Sequence, residues 1–206
     1  MAFETFFGTA EQKALLRKGY SAHQLFQDRP HFTYYGRTVG ITSLRDEPLE
    51  TLIALARLPG NSSLATLRQD EAATVLQAIK AAGLSANIFA SWTSTKGCLE
   101  NARTILSKRA LPEDLSLEWL APGSRNETRQ SLADLALSVG VLPPNLSVLT
   151  GEAKPGVCAM AVDKDGQVVS CAAAAMYRNQ EPESGKTKAW WGCLQRAKTN
   201  AGADCP

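Results

Sequence analysis

Gly156-Val157-Cys158-Ala159-Met160-Ala161-Val162, then Asp163-Lys164-Asp165-Gly166, then Gln167-Val168-Val169-Ser170-Cys171-Ala172-Ala173-Ala174-Ala175-Met176, is the stretch whose reading decides the fold. Two apolar runs divided by a short turn ending in Asp-Gly predict an antiparallel hairpin, because Asp and Gly reach turn conformations that bulkier residues resist. Downstream, Glu181 to Lys186 is polar and reads as a loop. Lys188-Ala189-Trp190-Trp191-Gly192-Cys193-Leu194 then reads as a third strand.

Upstream of the hairpin, Pro143-Pro144 and Gly140 stop a helix whose apolar face carries Leu132, Leu135, Ala136 and Val139. Ser124-Arg125-Asn126-Glu127 has the capping-box pattern and predicts the start of that helix. Leu115 to Leu120, with Leu117 and Trp119, predicts a strand before it. Leu111-Pro112-Glu113-Asp114 is the expected domain boundary, dividing the chain into residues 1–112 and 113–206.

The first segment alternates. The spacing predicts helices over Thr9–Tyr20, Pro48–Leu58, Asp70–Ala82 and Thr95–Arg109. Strand patterns fall at His31–Leu44 (broken by Gly36 and Gly40), Ser63–Leu67 and Ser85–Trp92. Alternating helix and strand patterns imply an α/β layer structure. Gly36-Arg37-Thr38-Val39-Gly40 lacks the strand–loop–helix setting of a phosphate loop and is expected to be a bend.

The 206 residues suffice to bury a substantial core, with 44% hydrophobic and 20% charged residues. Lys and Arg number 22 against 20 Asp and Glu, a net charge of +2 without a block of one sign, so no nucleic-acid partner is expected. Met1-Ala2-Phe3-Glu4-Thr5-Phe6-Phe7 carries no basic segment before an apolar core, and no apolar run reaches the roughly 20 residues of a membrane span. A cytoplasmic protein with no membrane partner is expected. The five cysteines (Cys98, Cys158, Cys171, Cys193, Cys205) lack metal-ligand spacing, and free, mostly buried thiols with no bound metal are expected.

From Leu115 to Leu194 the order is strand, helix, proline-containing loop, antiparallel hairpin and third strand. This order resembles the front half of the GNAT acetyltransferase fold, whose members move an acetyl group from acetyl-CoA to an amine. The small-residue run after Gln167-Val168-Val169-Ser170 is similar to the strand where the family writes a dipeptide close to Val-Gly. The resemblance implies a mixed, largely antiparallel GNAT-like sheet flanked by helices, incomplete at its C-terminal end. A smaller α/β domain, a degenerate copy of the same fold on this view, precedes it. It implies acetyl-CoA as co-substrate and a small-molecule or amine acceptor; a homodimer is an expected arrangement of the chain.

The resemblance also implies roles. The backbone of Cys193 and Leu194 stands where the family binds the pantetheine arm and polarises the thioester carbonyl, as an oxyanion hole does. Trp190 and Trp191 flank the expected acceptor cleft, and because a strand alternates its faces only one of them can line it. The family's Glu on this strand has no counterpart here, so no catalytic residue transfers. His23, in a helical context, and His31, before a strand, have no nucleophile-plus-carboxylate spacing and are expected to be structural or surface residues. Cys98 heads a helix without a visible partner and is not assigned as a nucleophile.

Past Leu194 the family pattern is Arg/Gln-x-x-Gly-x-Gly/Ala, whose glycines let the backbone approach a pyrophosphate at a helix N-terminus. Gln195-Arg196-Ala197-Lys198 lacks those glycines, and Gly202 stands alone. A truncated or frame-shifted ending is therefore expected. Read one nucleotide out of step after the Leu194 codon, the segment permits Leu-Ala-Thr-Arg-Glu-Asp-Gln-Arg-Gly-Arg-Arg-Leu, which resembles the expected loop. A second expectation is non-catalytic: a decayed domain, or an interaction module with an exposed edge strand. Sequencing the coding DNA through the Leu194 codon is expected to find the shifted codons; an intact reading frame without them rules the shift out.

Overall fold

The computed structural model describes residues 6–89, 97–176 and 189–194, the last of these as backbone only. In chain order the elements begin with α1 (Ala10–Phe26), β1 (Phe32–Tyr34), β2 (Val39–Ser43) and α2 (Leu49–Arg57). Then follow β3 (Ser63–Thr66), α3 (Ala72–Ala81), α4 (Cys98–Lys108), β4 (Leu115–Trp119) and α5 (Asn126–Ser138). The chain continues through α6 (Leu146–Leu149), β5 (Gly156–Asp163), β6 (Val168–Met176) and β7 (Ala189–Leu194). Among the described residues these form a mixed α/β structure with two sheets, ordered β1-β2-β3 and β4-β5-β6-β7, and no closed barrel.

The hairpin forms as its turn chemistry requires. The Asp163 carboxylate accepts the N–H groups of Asp165 (3.0 Å) and Gln167 (2.8 Å), and Gly166 takes φ 78°, a left-handed conformation that suits glycine. β4 and β7 add antiparallel strands to its two sides. Cys158, Met160 and Val162 of β5 and Val168, Cys171 and Ala173 of β6 share one buried face. That face packs on Leu132, Ala133 and Leu135 of α5, on Leu146 and Leu149 of α6, and on Phe7.

The smaller sheet is built differently. β1 and β2 are antiparallel, whereas β2 and β3 are parallel, joined by the α2 crossover. Phe32, Tyr34, Val39 and Ile41 form its core with Leu52 and Leu55 of α2, and Val148 and Ala175 from beyond residue 112 belong to the same cluster. Across that seam the Asn145 N–H donates to the Gly36 carbonyl at 2.7 Å. Gly36 has φ 81°, and a Cβ there would meet Pro144 and Asn145, so the expected bend is a close packing point.

Several local expectations give way to tertiary context. α1 runs past Tyr20 to Phe26 because Leu16, Gly19 and His23 continue one buried face. Its start is held by a Thr9–Gln12 capping box. The Ser124–Glu127 box does not form. The Ser124 hydroxyl instead accepts the Ala121 N–H (2.9 Å) across the Pro122-Gly123 turn, leaving α5 without a side-chain cap. Asp70 does not cap α3 either; its carboxylate accepts two bonds from the Arg68 guanidinium at 2.9 and 2.7 Å. The expected strand at Ser85–Trp92 is irregular through residue 89, where Ile88 and Phe89 are exposed and pair with no strand among the described residues; its last three residues lie outside them. The polar loop at Glu181–Lys186 and Lys188, the first residue of the expected third strand, also lie outside them.

Gly40 shows how tightly the parallel pair is set. It lies opposite Ser63, and a Cβ at Gly40 would fall on the Ser63 carbonyl and hydroxyl oxygens. Gly40→Ala is therefore expected to cost roughly 1–3 kcal/mol, the usual range for overpacking, read as a lower urea midpoint with an unchanged slope; an unchanged midpoint would show that the strands part without penalty.

Candidate functional site

Three places bring chemically capable groups together. The first is β7. Its register sets Leu194 opposite Cys171, Cys193 opposite Ala172, Trp191 opposite Ala174 and Trp190 opposite Ala175. β6 occupies one side of β7, and among the described residues no strand pairs with the other. Successive residues of an antiparallel strand direct their N–H groups alternately toward one neighbour and the other. Cys193 and Leu194 therefore cannot both offer an N–H at the open edge of a regular strand; one of them is turned to β6. The side chains of these residues lie outside the described atoms.

The second place is a buried cluster at the opposite end of the same strands. His23 of α1 and Tyr34 of β1 stack with ring centroids 4.2 Å apart and planes 3° from parallel, and Tyr20 lies 6.3 Å from the Tyr34 ring. Lys154, in the connection from α6 to β5, extends its Nζ to the Tyr34 carbonyl (3.3 Å) and sits 5.9 Å from the Tyr34 ring centroid. His23 and Lys154 are only 7% and 8% exposed, which makes their charged forms costly.

Burial first, and the Lys154 charge second, bring the His23 pKa down from 6.5 to about 4. Burial brings Lys154 from 10.5 to about 8. His23 Nδ1 has no hydrogen-bond partner among the described residues. His23 is thus a neutral, packed residue at neutral pH, in keeping with its expected structural role. His31 is at the surface, its Nδ1 3.7 Å from an Asp46 carboxylate oxygen.

Nothing in the sequence around Ala153-Lys154-Pro155 pointed to the buried lysine. Its position depends on α1 and β1 reaching across from more than a hundred residues away. Leu194 and Ala189 lie five residues apart along β7, about 17 Å at the rise of a strand. The nominated β7 backbone at Cys193 and Leu194 and the Lys154 cluster therefore do not make a single site.

The third place is an open crevice of about 670 Å³ at the C-terminal ends of the parallel strands β2 and β3. Open α/β sheets commonly bind ligands at such ends. Here the polar groups satisfy one another: the Thr42 and Ser43 hydroxyls donate to Asp46, and Arg68 is paired with Asp70.

Cys158 and Cys171 are buried thiols that are not joined in a disulfide. A hydrogen bond with Cys171, then burial, pushes the Cys158 thiol far up, so it stays protonated. Cys98 is free and exposed at the start of α4. Among the described residues no group of three or more His, Cys, Asp or Glu side chains is placed to hold a metal ion, and no helix is long and apolar enough to cross a membrane. No protein-family model, curated protein or solved structure matches this chain.

The buried pair makes stability depend on pH. The unfolded chain protonates His23 near 6.5 and the folded chain only near 4, so the stability from keeping the ring neutral is whole above 6.5 and is lost as pH falls toward 4. Lys154 is charged in both states below pH 8, and its burial penalty is relieved as pH rises from 8 to 10.5. Lys154→Met is expected to raise the His23 pKa above 4, followed by NMR of the ring protons, and to abolish the alkaline gain; an unmoved His23 pKa would show that Lys154 does not act on it.

Proposed function

We propose that this chain carries a GNAT-like, acyl-CoA-dependent N-acyltransferase sheet, with acetyl-CoA as co-substrate and an amine as acceptor. The observation that supports it best is the arrangement of four strands in sequential order. β4, then α5 and α6, then β5, β6 and β7 make an all-antiparallel sheet whose last strand, among the described residues, has one unpaired edge. That edge is the place for a pantetheine arm, because backbone N–H groups there can bond its amides and one can polarise the thioester carbonyl.

In the proposed step the acceptor nitrogen attacks the thioester carbonyl carbon, a C–N bond forms and the C–S bond breaks. The CoA sulfur leaves with the electron pair, and the proton lost by nitrogen ends on the thiolate. An N–H of Cys193 or Leu194 stabilises the oxyanion between those events, and Trp190 or Trp191 borders the acceptor. Residues 195–206 lack the Gly-x-Gly/Ala element for the pyrophosphate. Activity in this chain is accordingly weak, with CoA bound through the pantetheine arm.

A second proposal is an interaction module, favoured by the open sheet face on which Leu117, Trp119 and Val157 are 60%, 62% and 52% exposed. Hydrogen–deuterium exchange separates the two. CoA at about a millimolar, matching roughly −4 kcal/mol of binding, is expected to slow amide exchange in residues 189–194. Pantetheine is expected to do the same and ADP not to. No protection with CoA, or equal protection with ADP, removes the acyltransferase proposal.

A further inference from the structure

Among the described residues the four-stranded sheet is covered on one face only. On the other, the register lines up Leu117, Ala161 and Ser170 in one row, Trp119, Ala159 and Ala172 in the next, and Val157 with Ala174 in a third. The floor of this face is made of small residues, with Leu117, Trp119 and Val157 rising from it, exposed. A smooth apolar floor between larger side chains is a seat for a helix, since small residues let a helix approach closely. A face of this kind on an isolated chain marks a contact surface.

The chain also contains a helix that no other described residue covers. Leu99, Ala102, Ile105 and Leu106 fall on one face of α4 at helical spacing. No residue of α4 is buried, and Leu99, Ile105 and Leu106 are 61%, 54% and 72% exposed. An 11-residue helix is marginal on its own in water, because helices of this length draw their stability from packing.

Charge matches the two surfaces. Arg103, Lys108 and Arg109 are exposed on and just after α4 beside a single acid, Glu100, while Glu113 and Asp114 are exposed just before β4 and Asp165, beside Lys164, at the hairpin turn. Arg109, at the end of α4, is extended (φ −124°, ψ 117°), and no residue of the helix is buried against its own sheet.

We propose that the outer face of β4–β6 is an interface for a second copy of this chain, whose α4 lies on it while the first copy's α4 lies on the second sheet. The exchange is reciprocal, so a two-fold dimer closes and leaves neither surface open. It requires no acyl transfer; it rests on the interaction-module reading of this face and names the partner.

Light scattering and sedimentation of the full chain at micromolar concentration are expected to give a dimer. Leu106→Asp, on the helix, and Trp119→Asp, on the sheet, are each expected to raise the dissociation constant about tenfold or more. Both positions are exposed, so circular dichroism should report an unchanged fold. Mixing the two variants is expected to restore a dimer, because the intact helix of one meets the intact sheet of the other.

Three results would overturn the proposal. A wild-type monomer whose melting temperature falls with Leu106→Asp places α4 on its own sheet. A monomer with no such fall leaves the face unused, and a dimer indifferent to both substitutions puts the interface elsewhere.

Discussion

The carboxylate of Asp163 is the constraint from which the larger sheet follows. By accepting two backbone N–H groups across the turn it fixes where β5 ends and β6 begins, and Gly166 supplies the left-handed residue that closes the reversal. Strand side chains alternate with a period of two, so a slip of one residue here would exchange the buried and open faces along both strands. The pairing Met160 with Cys171 and Cys158 with Ala173 places the apolar residues of both strands beneath α5 and α6. β4 and β7 take their registers from this pair, one on each side.

The same alternation explains why the sheet has two chemically different faces. Cys158, Met160 and Val162 are buried, while Val157, Ala159 and Ala161 between them are not. One set of strands therefore serves a packed core and an open apolar surface at once. Among the described residues β7 leaves one edge unpaired, and the buried His23–Tyr34–Lys154 cluster closes the Ala189 end of the strands against the smaller sheet. The pH-sensitive groups thus belong to the seam between the two sheets, toward the end of β7 opposite Cys193 and Leu194.

Much of the fold was legible because its signals are local. The Asp-Lys-Asp-Gly turn, the helical spacing of Leu52 and Leu55, the strand at Ser63–Thr66 and the stop at Gly140 all rest on chemistry within a few residues. Two of the misreadings share one cause: a short polar side chain has several partners within reach. Ser124 had Ala121 as well as its own helix, and Asp70 had Arg68, and in each case the nearer or charge-assisted bond prevailed. Ile88 and Phe89 have strand-like composition, but a strand also needs a neighbour, and no periodicity supplies one.

The candidate site was legible in backbone terms only. The sequence singled out the last strand, Trp190 to Leu194, and the structure makes it the outer strand of its sheet. The sequence could not reveal that Lys154 is buried, since Ala153-Lys154-Pro155 is an unremarkable loop until Tyr34 and His23 close over it. By itself, then, the sequence determined the elements and the hairpin that orders them, because turn residues and hydrophobic spacing act over short distances. Only the tertiary structure decided which polar groups are buried together and which apolar faces remain open, because desolvation is set by segments far apart in the chain.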